Sequence, residues 1–224
     1  MLDKITHLEW RPDSAIPAEI ELAKEYGIAI GTVRKAVDTL VADGFLERSQ
    51  GRGTFVRRPS FNASLFRFFR HMSIDGQRRI PESKILSCKL TKLPKHVAAS
   101  LELEGVDRAI FIKRERRIDG ELIVAEEIWL PEDRFAPLLK IKIEDFGNLL
   151  YPLYEKCCGQ LVASAQEKLT VEISNEKTAK SLNIEIGVPV MVVERLALGY
   201  DRRPLEWRCS YGAGSKFCYQ VEIN

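Results

Sequence analysis

Two periods of apolar residues divide the chain. In its N-terminal part the spacing is helical: Val33, Ala36, Val37 and Leu40 repeat at i, i+3, i+4 and i+7, and Leu22, Ala23 and Tyr26 share one face of the segment before them. Pro17-Ala18-Glu19 opens that earlier helix, with proline near the first turn and acids close behind, which suits the missing N–H and the positive end of the helix dipole. Gly27 stands where it closes and a tight turn begins. Leu2, Ile5 and Leu8 supply only the last turns of a still earlier helix. Phe45-Leu46-Glu47-Arg48 and Thr54-Phe55-Val56-Arg57 then read as strands around Gln50-Gly51-Arg52-Gly53, whose glycines favour a sharp hairpin.

Past a linker the period shortens to two. Ile85 to Leu90 reads as a strand and Lys95 to Leu103 as a short helix with Val97, Ala98 and Leu101 inward. Ala109 to Ile118 and Leu122 to Leu130 form a hairpin around Asp119-Gly120. Leu149 to Cys158 is helical. Leu161 to Ile173 is a long strand, Glu176 to Leu182 a helix, and Val190 to Tyr200 with Pro204 to Gly212 a second hairpin around Asp201-Arg202-Arg203. Residues 85–130 and 161–212 thus repeat one unit. Phe217, Tyr219, Val221 and Ile223 alternate with polar neighbours, which predicts a final half-buried strand. The fold class is α+β. Three regions are expected: 1–58, a helical domain with a wing; 59–84, linker and entry to the next domain; and 85–224, a mostly antiparallel α/β domain.

The helix pair and wing carry the first candidate chemistry. Two short helices joined by a tight turn, the second presenting Thr32, Arg34 and Lys35 outward, match the geometry in which a recognition helix enters the major groove of DNA. A hairpin tip with Gln50 and Arg52 suits phosphates or a minor groove. This resembles the winged helix of the GntR family of bacterial transcription regulators, on Ile16-Pro17-Ala18-Glu19, Thr32-Val33-Arg34, Asp43-Gly44-Phe45-Leu46 and Gln50-Gly51-Arg52-Gly53-Thr54-Phe55-Val56. The resemblance implies DNA contacts at Thr32, Arg34, Lys35, Gln50, Gly51, Arg52, Gly53 and Thr54. Two departures stand out: Ile20 and Ile30 replace arginines usual in the family, and Ala29 is a poor helix cap. The resemblance also calls for a longer first helix than Met1 to Glu9 provides, as in a chain that begins late.

The second half resembles the UTRA effector-binding domain of the HutC subfamily of GntR regulators, similar in fold to chorismate lyase. That likeness implies an effector pocket in which Arg114 and Arg116 hold an anionic group and Glu126 and Glu206 accept hydrogen bonds from hydroxyls or amines. Alternate residues of a strand share one face, and two guanidiniums offer forked donors. The competing reading is cross-strand ion pairs on a wet sheet face. Tyr151 lines the pocket or packs, and Arg67, within Ser64-Leu65-Phe66-Arg67-Phe68-Phe69-Arg70, is a further anion ligand in the sharper reading of that segment.

Charge and composition narrow the classes. The 224 residues, 45% hydrophobic and 29% charged, suffice for two modest domains, and the net charge of +2 excludes no partner. Acids outnumber bases over residues 1–56, whereas Arg57 to Lys84 holds seven basic residues against Asp75 and Glu82. That stretch adds phosphate contacts or is a solvated linker. Cys88, Cys157, Cys158, Cys209 and Cys218 show no metal-ligand spacing, and His7, His71 and His96 are scattered, so no metal, cofactor or catalytic group is expected. Neither an apolar spanning run nor a signal-peptide layout occurs, which implies a cytoplasmic protein without a membrane partner. The expectation is a homodimeric regulator, most often a repressor in this family, that binds a double-stranded DNA operator and responds to a small anionic metabolite. The alternatives are a chorismate-lyase-like enzyme and a ligand-binding protein whose DNA function has decayed.

Overall fold

A computed structural model describes residues 1–58 and 81–217, which fall into two compact units. The N-terminal unit contains α1 (Leu2–Thr6), α2 (Glu19–Tyr26), α3 (Ile30–Ala42) and an antiparallel wing of β1 (Leu46–Ser49) and β2 (Gly53–Val56). Its core is the stripe the helical period predicts. Leu22, Val33 and Val37 are fully buried and Leu40 nearly so, joined by Ile5 from α1 and by Leu46 and Val56 from the wing. Tyr26 departs from the predicted face and stays exposed. Pro17 lies before the cap residue Ala18, outside the first turn of α2. Gly27 closes α2 at φ +65, the left-handed conformation in which a side chain is strained.

The C-terminal unit is one six-stranded sheet of β3 (Glu82–Lys92), β4 (Arg108–Ile118), β5 (Glu121–Leu130), β6 (Val162–Ile173), β7 (Pro189–Gly199) and β8 (Pro204–Ala213), in the order β3-β4-β5-β8-β7-β6. Neighbours β3–β4, β4–β5, β5–β8 and β7–β8 are antiparallel. Helices α4 (Lys95–Ser100) and α7 (Glu176–Leu182) cover one face, where Val97, Leu101 and Leu182 meet Trp129, Trp207, Val190 and Val192. The other face carries α5 (Glu132–Phe135), two 3-10 turns and α6 (Leu150–Cys158), where Phe135, Leu138, Phe146 and Tyr154 pack on Ile110, Ile112, Ile128 and Leu130.

The repeat read from the sequence is present as strand, helix and hairpin twice over, and the starts of its helix and first hairpin strand keep the same spacing: Lys95 corresponds to Glu176 and Arg108 to Pro189. Both hairpins also shift register at equivalent places, between Arg116 and Arg117 and between Ala197 and Leu198. The two hairpins meet along β5–β8, so the middle of the sheet is the junction of the repeats. Some expectations are corrected. The first strand starts at Glu82 because Ser83 and Lys84 continue the ladder opposite Arg116 and Glu115, and the helix from Lys95 stops at Ser100. Phe217 follows a 3-10 turn and is not in a strand; the rest of the expected final strand, 218–224, and most of the expected linker, 59–80, lie outside the described residues, Arg67 among them.

Candidate functional site

The N-terminal site is the exposed start of α3 with the wing tip. Thr32, Arg34 and Lys35 point away from the buried stripe of Val33, Val37 and Leu40, and Gln50, Gly51, Arg52 and Gly53 form the exposed turn, with Thr54 half-buried. Gly51 and Gly53 take φ +72 and +115, the backbone that makes this tight turn. Glu19 ties the parts together: Arg34 Nε donates to its Oε2 at 2.9 Å and Arg48 of the wing reaches its Oε1 at 3.4 Å. Arg48 also pairs with Asp38 of α3 at 2.6 Å. The sequence reading overlooked Glu19 as the residue that aims Arg34, although its place at the head of α2 was in view. Ala29 caps α3 without any side-chain hydrogen bond.

The C-terminal site is built in cross-strand rows on the face under α6. One row runs Arg114, Glu126, Ser210 and Val193, and the next Ile112, Ile128, Arg208 and Arg195. Glu206 stands one row further, opposite Ala197. The face is dry: Arg114, Glu126 and Glu206 are at most 1% exposed, and Arg116, Arg195 and Arg208 at most 5%. Of the two sequence readings, cross-strand pairing is present and the wet face is not.

Glu126 is the centre of the array. It pairs with Arg114 Nε, lies 3.5 Å from Arg208 and 4.0 Å from Arg116, and accepts from Ser210 Oγ at 3.3 Å. Burial alone raises a carboxyl pKa, yet the surrounding guanidiniums of Arg114, Arg208 and Arg116 hold that of Glu126 well below the usual carboxylate range. Glu206 accepts from Tyr154 at 2.7 Å, Tyr151 at 3.2 Å and Arg208 at 2.8 Å. Burial and the Glu206 charge keep the Tyr154 phenol protonated, as a donor must be. Burial opposes the charge of Arg208, but Glu206 and Glu126 more than offset it, raising its pKa. Arg195 donates to Tyr151 at 3.3 Å and to Glu167 at 2.6 Å.

Arg116 is the weakly held cation. Desolvation, with repulsion from Arg114, lowers its pKa to about 10, and its one hydrogen bond among the described residues is a long 3.4 Å contact to the Pro81 carbonyl. Both Nη groups of Arg114, Nε of Arg116 and Nε of Arg208 are buried without a hydrogen-bond partner among the described residues. Four guanidiniums there face the three carboxylates of Glu126, Glu206 and Glu167. A buried donor left unpaired is costly.

The structure therefore brings Arg114, Arg116, Glu126, Tyr151 and Glu206 together and adds Arg195, Arg208, Tyr154 and Ser210, which the sequence reading missed. The missed signal is the alternation Glu206-x-Arg208-x-Ser210, the pattern that singled out Arg114-x-Arg116. As acids on the second strands of the two hairpins, Glu126 and Glu206 look like counterparts in the sequence. Register corrects this: opposite Arg195, where Glu126 stands relative to Arg114, the second hairpin has Arg208.

Both parts of the chain match known protein families. Residues 76–218 match the UTRA domain and residues 1–56 the family of bacterial regulatory proteins, gntR family. The chain is 26% identical over 207 residues to an Escherichia coli (strain K12) protein named "Probable fructoselysine utilization operon transcriptional repressor", covering 92% of this chain and 84% of that protein. It is also 26% identical over 208 residues to the mannosyl-D-glycerate transport/metabolism system repressor MngR of the same strain, covering 92% and 85%. The ligand-binding domain of a GntR-family regulator from Bordetella bronchiseptica superposes with TM-score 0.57 at 27% identity, over 66% of this chain and 93% of that one. PhnF from Mycobacterium smegmatis, at TM-score 0.58 and 21% identity over 100% and 97%, shares the fold. The two domains and these relatives make the protein a DNA-binding transcriptional repressor modulated by a ligand, and not an enzyme. The chain belongs to the GntR family of bacterial transcription regulators, in the branch that carries a UTRA domain.

Proposed function

We propose that this repressor reads a palindromic operator with Thr32, Arg34 and Lys35 of α3 and with the wing turn Gln50–Thr54, and that a small anionic metabolite bound by Arg114 and Arg116 changes operator affinity. The observation that carries the effector class is the set of buried guanidinium N–H groups without a partner among the described residues, above all the two Nη groups of Arg114. A carboxylate or phosphate oxygen supplies the forked acceptor they lack. Glu126, Glu206 and the two tyrosines offer acceptors and donors for neutral hydroxyls or amines on the same ligand.

Binding to a palindrome needs a second copy, and β6 supports one. It is an edge strand of the sheet, and Leu169, Val171 and Ile173 alternate along it with exposures of 37%, 65% and 64%. An exposed apolar edge of this kind is a liability unless something covers it, and in a homodimer the same strand of the partner does so. No described helix is long and apolar enough to cross a membrane, and operator binding places the working protein in the cytoplasm with its DNA.

The effector acts by binding one arrangement of the two DNA-reading heads better than the other, and linkage then requires operator DNA to change effector affinity by the same factor. Calorimetric titration of the effector into free and operator-bound protein tests this. Unequal affinities, matched by the effector's own shift of operator affinity, support the account; equal affinities contradict it.

A further inference from the structure

The first residue of the recognition helix is apolar and uncovered. Ile30 is 42% exposed although its side chain is large and β-branched, and it stands one helical turn before Arg34 on the same column of α3. Its neighbour Gly31 has no packing reason to be glycine: a Cβ there would meet nothing within 4 Å. Glycine inside a helix costs stability relative to alanine, so Gly31 does not serve the fold. Together Ile30 and Gly31 form an open stretch of helix backbone with one sec-butyl apolar group at its edge.

The residues beside this stretch identify that surface. Thr32, Arg34 and Lys35 follow at once, and Glu19 fixes Arg34 alongside. Resting on the reading of α3 as the operator-reading helix, the geometry points to Ile30 as a specificity residue that recognises the 5-methyl group of thymine in the major groove. The N-terminal residues of a recognition helix meet base edges, and the thymine methyl is the one apolar group displayed there. Gly31 lets the helix start come near enough for that contact.

Full-length protein and a randomised palindromic duplex library provide the test. After selection, each thymine of the best duplex is replaced in turn by deoxyuridine, which removes the methyl and leaves the hydrogen-bonding edge unchanged. The expected result is one thymine per half-site at which this replacement weakens binding about fourfold, the worth of one buried methyl-sized group. Ile30→Ala, an exposed change to a better helix former, should bind the thymine and uracil duplexes equally while keeping the Arg34-dependent part of the affinity. Uracil replacement without effect at every position, or the same fourfold loss persisting in Ile30→Ala, would overturn the assignment. A library that yields no selected duplex at all contradicts operator reading itself, and the Ile30 assignment falls with it.

Discussion

Arg114 and Glu126 sit opposite each other on the β4–β5 hairpin and pair through Nε alone, so the two Nη groups of Arg114 remain buried and unanswered within the described protein. The guanidinium is thus held by its stem-side nitrogen while its forked end has no partner among the described residues. We propose that this forked end binds the anionic group of the effector.

Replacing Arg114 by methionine should separate the two roles. Methionine fills similar volume without donors, and Glu126 keeps Arg208 and Ser210 as partners. In a thermal-shift screen of carboxylates and phosphate esters, any compound that stabilises the natural protein should no longer do so in Arg114→Met, while operator binding persists. Retention of the ligand shift would remove Arg114 from the site.

Glu126 should also leave a signature in acid. Its folded pKa is depressed, so its stabilising contribution is complete above the unfolded carboxyl value of about 4.3 and is lost as pH falls toward the folded one. Glu126→Gln removes that contribution and leaves buried guanidiniums uncompensated, at a cost of about 3 kcal/mol near neutral pH. Melting curves of both proteins should differ most above about pH 5 and converge as pH is lowered below about 4. A constant gap across that window contradicts the assignment of the charge.

At the DNA-reading end, Arg34→Ala and Arg52→Ala are each expected to weaken operator binding by about 1–3 kcal/mol. Both side chains are exposed, so the fold and the effector thermal shift should be unchanged. If Arg52 meets a phosphate, its loss should lower the slope of log affinity against log salt by about one. Glu19→Gln should reproduce part of the Arg34 defect, because Glu19 aims that guanidinium.

Val171→Asp places a charge in the middle of the exposed stripe on β6. Sedimentation analysis should show monomer where the natural chain shows dimer, with circular dichroism unchanged. A dimer that survives this substitution would move the interface elsewhere.

How far the sequence was legible depends on whether the information is local. The stripe Val33, Val37, Leu40 and the turn glycines of the wing are short-range patterns, and both appear in the structure where the periodicity puts them. The sheet's repeat was legible for the same reason, since each hairpin is closed by its own turn. Strand order was not, because the junction of β5 with β8 joins residues far apart in the chain. That junction brings Arg208 and Ser210 to Glu126, so the full site could be read only in part from Arg114-x-Arg116. The dryness of the face came from α6: Tyr154 covers charges that alternation alone would leave in water.

Sequence-specific DNA binding is the property on which the regulator's action depends. The most direct test is fluorescence anisotropy of the full-length protein with a library-selected palindromic duplex and a scrambled duplex, each at two salt concentrations. Tight binding to the selected duplex alone, weakened at the higher salt, is the predicted result. Equal and feeble binding to both duplexes by a folded dimer would contradict it.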